Sequence, residues 1–479
     1  MYDVIVIGGG VIGTSVLREL QRYNLSSLLL EMDDDVSTGT SRANSGIVHA
    51  GYDCTPGTLK AKYNVRGNKL CYDWADELGI SVKRIGSLVV ADENGLEGLK
   101  ELEVKGHANG VDVEIIDRDR ILELEPNVAD SVQYALYAKD GGIVSPYKFT
   151  VALAENAVIN GAEVILESKV VAITKKDGYF IVDTEDGGRY ERRVLVNAAG
   201  GYASNINALV GAETYKTEYR RGDYYVLDKK ESANVSRVIF PLPDERGKGI
   251  LVSPTVDGNV IYGPTSIPVE GPECTDVEAD GLDYIKSQVP KSYKCPNYRN
   301  AIRVYAGVRS IVGSDFIVNW SDKVDNLFVL AGICSPGLTS APAIGEDVAR
   351  MVAERLELKK KEEGLIPNKK HLHFVDLSPS ELNDMIKSDA RWGKIVCRCE
   401  KVSEAEIVEA IHSPVPATTV DGIKRRARAG MGRCGGGFCG PVVMEIIARE
   451  LNIPLTSVKK GGKNSNIAIS LVKEGEIDV

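Results

Sequence analysis

The first thirty-one residues constrain the fold more than any other stretch of the chain. Asp3–Ile7 (DVIVI) is a short, β-branched apolar run, and Gly8, Gly10 and Gly13 follow it directly as G-x-G-x-x-G. A helical pattern then runs through Leu20, and Ser26–Glu31 (SSLLLE) reads as a second strand. This is the opening of a βαβ unit. Each glycine has its own task there. Gly8 allows the tight turn, Gly10 lets the backbone approach a pyrophosphate, and Gly13 permits close packing of helix on strand. The helix N-terminus adds the positive end of its dipole. Glu31 ends the second strand 23 residues after Gly8, placed to accept from a ribose hydroxyl and to disfavour a 2′-phosphate.

A chain of 479 residues exceeds one ordinary core, so further domains are expected. Strand-like runs occur at Ser87–Ala91, Tyr179–Thr184, Arg193–Val196, Tyr224–Leu227, Gly249–Pro254, Asn259–Gly263 and Leu327–Ala331. Helical patterns occupy Leu59–Leu78, Tyr147–Asn160 and Ala343–Leu356, and the stretch 215–263 is rich in strands and turn signals. The pattern predicts an α/β fold: a Rossmann-type nucleotide domain interleaved with a mostly antiparallel substrate domain. The expected boundaries are 1–80, 146–210 and 306–357 for the first and 81–145 and 211–305 for the second. From Leu358 the chain turns polar and charged, so 358–390 is read as a linker and 391–479 as a separate module.

Composition excludes several classes. With 43% hydrophobic and 26% charged residues the chain is a soluble globular type rather than a disordered one. No apolar run reaches the ~18 residues a membrane helix needs, and no basic leader precedes the first strand, so a cytoplasmic protein is expected, with at most peripheral membrane association through a partner. The net charge is −10, yet the segment from Arg391 onward holds 14 Lys and Arg against 10 Asp and Glu. Its basic run, Lys424 to Arg433, has no interleaved aromatic platform, so no nucleic acid is expected as a partner.

Nine cysteines are an odd number, and no disulfide framework is expected. Five are scattered. The other four, Cys397, Cys399, Cys434 and Cys439, form C-x-C and C-x4-C pairs 34 residues apart. Two close thiol pairs can enclose a metal centre, either structural zinc or an iron–sulfur cluster.

Several motifs beyond the first turn extend this picture: SRANSGIVHAGYDCTPGTLKAK (Ser41–Lys62), VNAAGGYA (Val196–Ala203), YAGVRS (Tyr305–Ser310) and GICSPGLTSAPAIGEDVA (Gly332–Ala349). Together they resemble the D-amino-acid-oxidase-like superfamily of FAD enzymes, and within it the glycerol-3-phosphate and L-2-hydroxyglutarate dehydrogenases. The resemblance implies FAD as cofactor. It places Ser41, Asn44, Ser45 and Gly46 around the pyrophosphate and flavin edge, and Ala199 and Gly200 over the adenine half. Gly332, Gly337 and Leu338 fall in a loop whose N–H groups face the flavin. The tail from Lys394 to Val458, with R-A-G-M-G-x-C, resembles the bacterioferritin-associated-ferredoxin-like [2Fe–2S] module. That resemblance implies a small α-rich domain with Cys397, Cys399, Cys434 and Cys439 as cluster ligands. The basic residues Lys424, Arg425, Arg426, Arg428 and Arg433 are expected to stabilise the anionic cluster.

Five histidines exist, and only His49 lies in one of these motifs. Oxidising a hydroxyl needs a base near neutral pKa, which makes His49 the candidate catalytic base. Arg309 in YAGVRS, following a small-residue turn, offers a planar fork for a carboxylate or phosphate, and Arg221 in YRRGDYYVL is a second candidate. Lys60 and Tyr52 are weaker candidates. The expected reaction is oxidation of a small anionic secondary alcohol, with electrons passing from FAD through the cluster to a redox partner, either an NAD-linked flavoprotein or a quinone-linked subunit. sn-Glycerol 3-phosphate is the favoured substrate and L-2-hydroxyglutarate the alternative. A non-catalytic flavin and iron–sulfur redox sensor is the rival class.

Overall fold

The computed structural model describes residues 2–243 and 249–470; positions 471–479, the end of the expected C-terminal module, lie outside the described residues. β1 (Tyr2–Ile7), α1 (Val11–Leu20) and β2 (Ser27–Leu30) form the expected βαβ opening. They sit in a parallel sheet whose strand order is Glu163–Ile165, β2, β1, Arg189–Asn197, Leu327–Ala331. An antiparallel hairpin, Val170–Lys176 with Tyr179–Thr184, continues from the near half of Arg189–Asn197, and Ile317–Trp320 pairs with Leu327–Ala331. From Val4 to Ile7 β1 is apolar and buried because both its faces are covered there. Val4 and Val6 pack with Leu17 and Leu20 of α1 and Ile344 and Val348 of the helix Gly337–Arg355. Ile5 and Ile7 face the hairpin residues Phe180 and Val182.

The second sheet has nine strands, and every neighbouring pair is antiparallel except Ser87–Ala91 with Val238–Pro241. Its longest ladder joins Glu218–Leu227 to Ala301–Ile311, in register from Glu218 opposite Ile311 to Val226 opposite Arg303, with a shift before Leu227 opposite Ala301. This corrects one boundary and one local reading. The segment 306–311 belongs to the second sheet, and YAGVRS is the second half of a strand, not a turn. Gly307 sits there because a Cβ would stand 1.8 Å from the Ala43 carbonyl oxygen: the glycine marks the close approach of the two domains, not a bend.

The helix expected at Ala343 begins six residues earlier, at Gly337. Pro342 lies inside it. Proline has no N–H to offer the carbonyl four residues back, which hides the first turns from a sequence pattern.

The expected linker is not a free tether. Helix Pro379–Ser388 starts on a capping box between Ser378 and Glu381. Asn368 donates to the carbonyls of Ala152 and Leu78 and accepts from Asn156, and Lys361 N–H donates to the Arg22 carbonyl. Beyond it, helices Glu404–Ile411, Val420–Ala427 and Gly440–Leu451 enclose a small core of Ile407, Ile411, Ile423, Val443 and Ile447. This α-rich module is docked on the nucleotide domain. Val415 is buried among Val36, Val151 and Ala154, and Thr419 Oγ1 donates to Asp34 Oδ2 at 2.9 Å. Arg425 and Arg426 both reach Asp35 at 2.8 Å. Burial alone would push the Asp35 carboxyl up, but Arg426 and Arg425 hold it below its ordinary range.

His371 bridges the same two bodies, 3.6 Å from Glu155 of the nucleotide domain and 3.8 Å from Glu409 of the C-terminal module. Bonding to Glu155, then to Glu409, raises its pKa from 6.5 to about 9 in spite of burial. A raised folded-state pKa stabilises fully below pH 6.5 and is lost as pH rises through 9. The melting temperature of the holoprotein is therefore expected to fall between pH 6.5 and 9, and His371→Ala should flatten that slope. The side chain is 40% exposed, so screening limits the effect to about 1 kcal/mol. An unchanged slope in the variant would assign the pH dependence elsewhere.

Candidate functional site: a dinucleotide cavity with an anion clamp, and a four-thiol loop

A continuous cavity of about 1840 Å³ runs between the two sheets. It exceeds the ~300–1,000 Å³ of an ordinary small-molecule pocket, leaving room for a dinucleotide and a second, smaller molecule. Gly8 and Gly10 line it. Gly8 has φ +109°, and a Cβ there would meet the Ala198 carbonyl oxygen at 2.5 Å; a Cβ on Gly13 would stand 2.0 Å from the Gly8 carbonyl oxygen. The turn thus admits nothing larger, and α1 starts beside the cavity. Ser41 Oγ accepts from Val11 N–H at 2.9 Å, and Glu31 accepts from Gly9 N–H at 2.5 Å and Asp33 N–H at 3.0 Å. Burial raises the Glu31 carboxyl to about 7 although those N–H groups oppose the shift.

The other cofactor candidates join this wall. Asn44, Ser45, Gly46, Ala199, Gly200, Gly332, Gly337 and Leu338 all line the cavity; Gly13 lies behind it. Gly337 is the first residue of its helix, so backbone N–H groups lie at the cavity edge. The residues fit FAD: a glycine cradle at a helix N-terminus for the pyrophosphate, an acid at the end of β2, and a further helix start for an electron-rich ring.

At one end the cavity meets the second sheet, and here the arginine expectation changes. Strand residues alternate between faces. Arg220, Gly222 and Tyr224 line the cavity, whereas Arg221 points to the opposite face, 3% exposed, paired with Asp223 at 2.9 Å and Glu278 at 3.0 Å. Arg221 is thus removed from the site and Arg220 replaces it. The period of two separates them, but Tyr224 and Val226 are as apolar on Arg220's side as Tyr225 and Leu227 are on Arg221's, so no local signal says which one faces the cavity.

Arg309 lines the same wall directly opposite Arg220 in the ladder. Two like charges as cross-strand neighbours destabilise a sheet unless an anion lies between them. Arg309 Nη2 donates to the Thr265 carbonyl at 2.7 Å and Arg220 Nη1 to Ser266 Oγ at 3.3 Å; among the described residues the buried Arg309 Nε–H has no acceptor. No carboxylate neutralises either one at ion-pair distance among the described residues, which is the electrostatics of an anion site.

His49 lines the cavity, with its backbone fixed by Thr339 Oγ1 and Asn68 Nδ2 at 3.0 Å each and its ring 5.9 Å from Phe240. The loop before it is anchored by Ser45 Oγ against Tyr224 OH at 3.1 Å and by Tyr305 OH donating to the Asn44 carbonyl at 2.9 Å. The weaker candidates are structural. Tyr52 is buried away from the cavity, and Lys60 Nζ donates to the Ser314 carbonyl.

The four late cysteines stand as two pairs. Cys399 and Cys434 are 3.8 Å apart at their sulfurs, and Cys397 is hydrogen-bonded to Cys439. The bond from Cys439, against burial and with help from the N–H groups of Gly430, Glu400 and Cys399, lowers Cys397 to about 6, while Cys439 moves upward. N–H groups of Phe438 and Gly436 lower Cys434. Two pairs with amide donors suit a two-iron centre. The basic run does not serve as expected, however. Arg425 and Arg426 are spent on Asp35, and Arg428 on Glu400 and Asp257. Amide N–H groups, rather than these arginines, face the sulfurs.

No described helix is long and apolar enough to cross a membrane.

Comparison with known proteins places both halves. Residues 3–351 match the family FAD dependent oxidoreductase, and residues 395–449 the BFD-like [2Fe-2S] binding domain. A glycerol 3-phosphate dehydrogenase from Caloramator mitchellensis is 44% identical over 98% of both chains. An L-2-hydroxyglutarate dehydrogenase from Escherichia coli (strain K12) is 30% identical over 56% of this chain and 64% of its own. Among solved structures, the L-alpha-glycerophosphate oxidase from Mycoplasma pneumoniae with FAD bound superposes with TM-score 0.73, at 31% identity, over 77% of this chain and 98% of that one. The glycine cradle, the long cavity and the paired thiols thus have one explanation: the chain belongs to the FAD dependent oxidoreductase family and carries, fused behind the flavin fold, a BFD-like [2Fe–2S] binding domain.

Proposed function

We propose that this protein oxidises sn-glycerol 3-phosphate to dihydroxyacetone phosphate and delivers the electrons through its [2Fe–2S] cluster to a separate redox partner. The observation that carries the reading is Arg220 opposite Arg309 on the wall of the cavity that also holds His49. A phosphate dianion answers two unneutralised guanidinium groups. The substrate class agrees with the names of the dehydrogenase and oxidase relatives.

Gly8, Gly10 and Glu31 would hold FAD, which when bound would supply the hydride acceptor. The chain's own residues do the rest. The arginine pair orients the phosphate and so fixes the secondary alcohol in the cavity. His49 takes the hydroxyl proton, which lets the carbinol C–H depart with its electron pair and leaves a ketone. The Phe240 ring, its centroid 5.9 Å from that of His49, packs beside the base. Cys397, Cys399, Cys434 and Cys439 hold the cluster downstream.

One anaerobic assay tests the scheme. Wild-type flavin should bleach with sn-glycerol 3-phosphate and only slowly with L-2-hydroxyglutarate, whose carboxylates the same arginines could hold less completely. Cys434→Ser should bleach at nearly the wild-type rate yet fail to pass electrons to a one-electron acceptor. Faster bleaching with L-2-hydroxyglutarate would reverse the substrate assignment. A Cys434→Ser protein that is folded, FAD-loaded and unbleached would place the cluster upstream of the chemistry.

A further inference from the structure

Arg428 follows helix Val420–Ala427 as its C-terminal cap, in a left-handed backbone (φ +66°) that glycine or asparagine adopts with less strain. Its side chain accounts for its presence. The guanidinium, 12% exposed, makes four hydrogen bonds to three bodies: Nε to Glu400 Oε2 at 2.9 Å, Nη1 to Tyr147 OH at 3.0 Å and Asp257 Oδ2 at 2.7 Å, and Nη2 to Asn259 Oδ1 at 3.1 Å. Glu400 is the neighbour of Cys399. Tyr147 is on the nucleotide-domain helix Pro146–Ile159, and Asp257 and Asn259 lie in a turn of the second sheet. The segment leading into that helix is tied to the flavin cavity: Val144 N–H donates to the carbonyl of Gly46, a wall residue, at 2.8 Å.

We propose that Arg428 is a positioning residue for internal electron transfer, clamping the Cys399 loop against the flavin domain and completing a short bonded path from the cavity wall to the cluster. The path runs from the Gly46 carbonyl by hydrogen bond to Val144 N–H, along the chain to Tyr147, and by two hydrogen bonds through Arg428 to Glu400 and the adjoining Cys399. No atom is transferred. Of the two electrons that leave the substrate, one reduces a ferric ion of the cluster to ferrous, and an external one-electron oxidant, ferricyanide, then takes both in turn. The choice of arginine follows from geometry, since a planar fork reaches four acceptors and a lysine point charge does not.

This inference rests on the proposed substrate–flavin–cluster order, and the test separates the two. In anaerobic stopped-flow mixing of the holoenzyme with sn-glycerol 3-phosphate, Arg428→Met should leave flavin bleaching unchanged. Cluster reduction, followed by electron paramagnetic resonance, should slow by on the order of 100-fold, because removing one partner of a buried charge network shifts a docking equilibrium by about that factor. Arg428→Lys should recover part of the rate. Dithionite should reduce the variant cluster normally, with the wild-type signal, which a collapsed site would not give. Unslowed cluster reduction in an iron-replete Arg428→Met overturns the proposal. If that variant loses its cluster, Tyr147→Phe, which removes one hydrogen bond, takes its place: a several-fold slowing supports the path, and none overturns it. Should sn-glycerol 3-phosphate fail to reduce wild-type flavin, the substrate reading falls alone, and photochemical reduction of the flavin still measures the transfer.

Discussion

His49→Ala is expected to slow anaerobic flavin reduction by sn-glycerol 3-phosphate by on the order of 100- to 10,000-fold, the range for loss of a positioned general base. The dissociation constant should change little, because the base acts on a proton that moves only in the transition state. The site supports this split. The His49 backbone is fixed from both sides, through its N–H by Thr339 and through its carbonyl by Asn68, so truncating the ring leaves the loop in place. His49→Asn is the control for packing beside Phe240. If both variants reduce the flavin at the wild-type rate, the base lies elsewhere in the cavity wall.

Arg309→Ala should act on binding instead. A charge-assisted bidentate contact is worth about 1.5–3 kcal/mol, so the substrate dissociation constant should rise between about 10- and 100-fold, with a smaller fall in the maximal rate of bleaching. Arg309→Lys should recover little of it, since a point charge does not replace the fork. Arg220→Ala should behave alike, and the double variant should lose less than the product of the two, because both guanidinium groups hold one anion. Arg221→Ala provides the contrast. It breaks a buried pair with Asp223 on the other face of the strand, so it should lower the melting temperature without a specific effect on substrate affinity. An Arg221 variant with weakened binding and an Arg220 variant without it would invert the assignment of faces.

The contrast between Arg220 and Arg221 shows how far local patterns reach. Both sit in YRRGDYYVL, and charge alone does not rank them. The period of two says that only one faces the ligand, but which one depends on where the second sheet buries its apolar side. That is set by Tyr225 and Leu227 packing on Ile239, Val252 and Tyr262, partners distant in the chain. Arg428 makes a similar point. Next to a cysteine pair it reads as a counter-charge to a cluster, yet the docked domains bring Asp257 and Tyr147 within its reach, from 171 and 281 residues away. Gly307 reads as a turn and is in fact a strand glycine pressed against Ala43.

What the sequence by itself determined was everything that depends on near neighbours in the chain. The cradle of Gly8, Gly10 and Gly13 with Glu31, the helix Leu59–Leu78 and the two thiol pairs are short-range devices, because a tight turn, a helix face or a C-x-C loop is decided by residues within one or two turns of each other. Only the tertiary structure decided which arginine faces the cavity, that 301–311 is one strand of the second sheet, that the expected linker is bonded to the nucleotide domain, and that the basic run is a docking surface. Each of these depends on which far segment supplies the burial or the opposite charge. A side chain's charge is written in the sequence, but its partner is chosen by the packing of elements hundreds of residues apart.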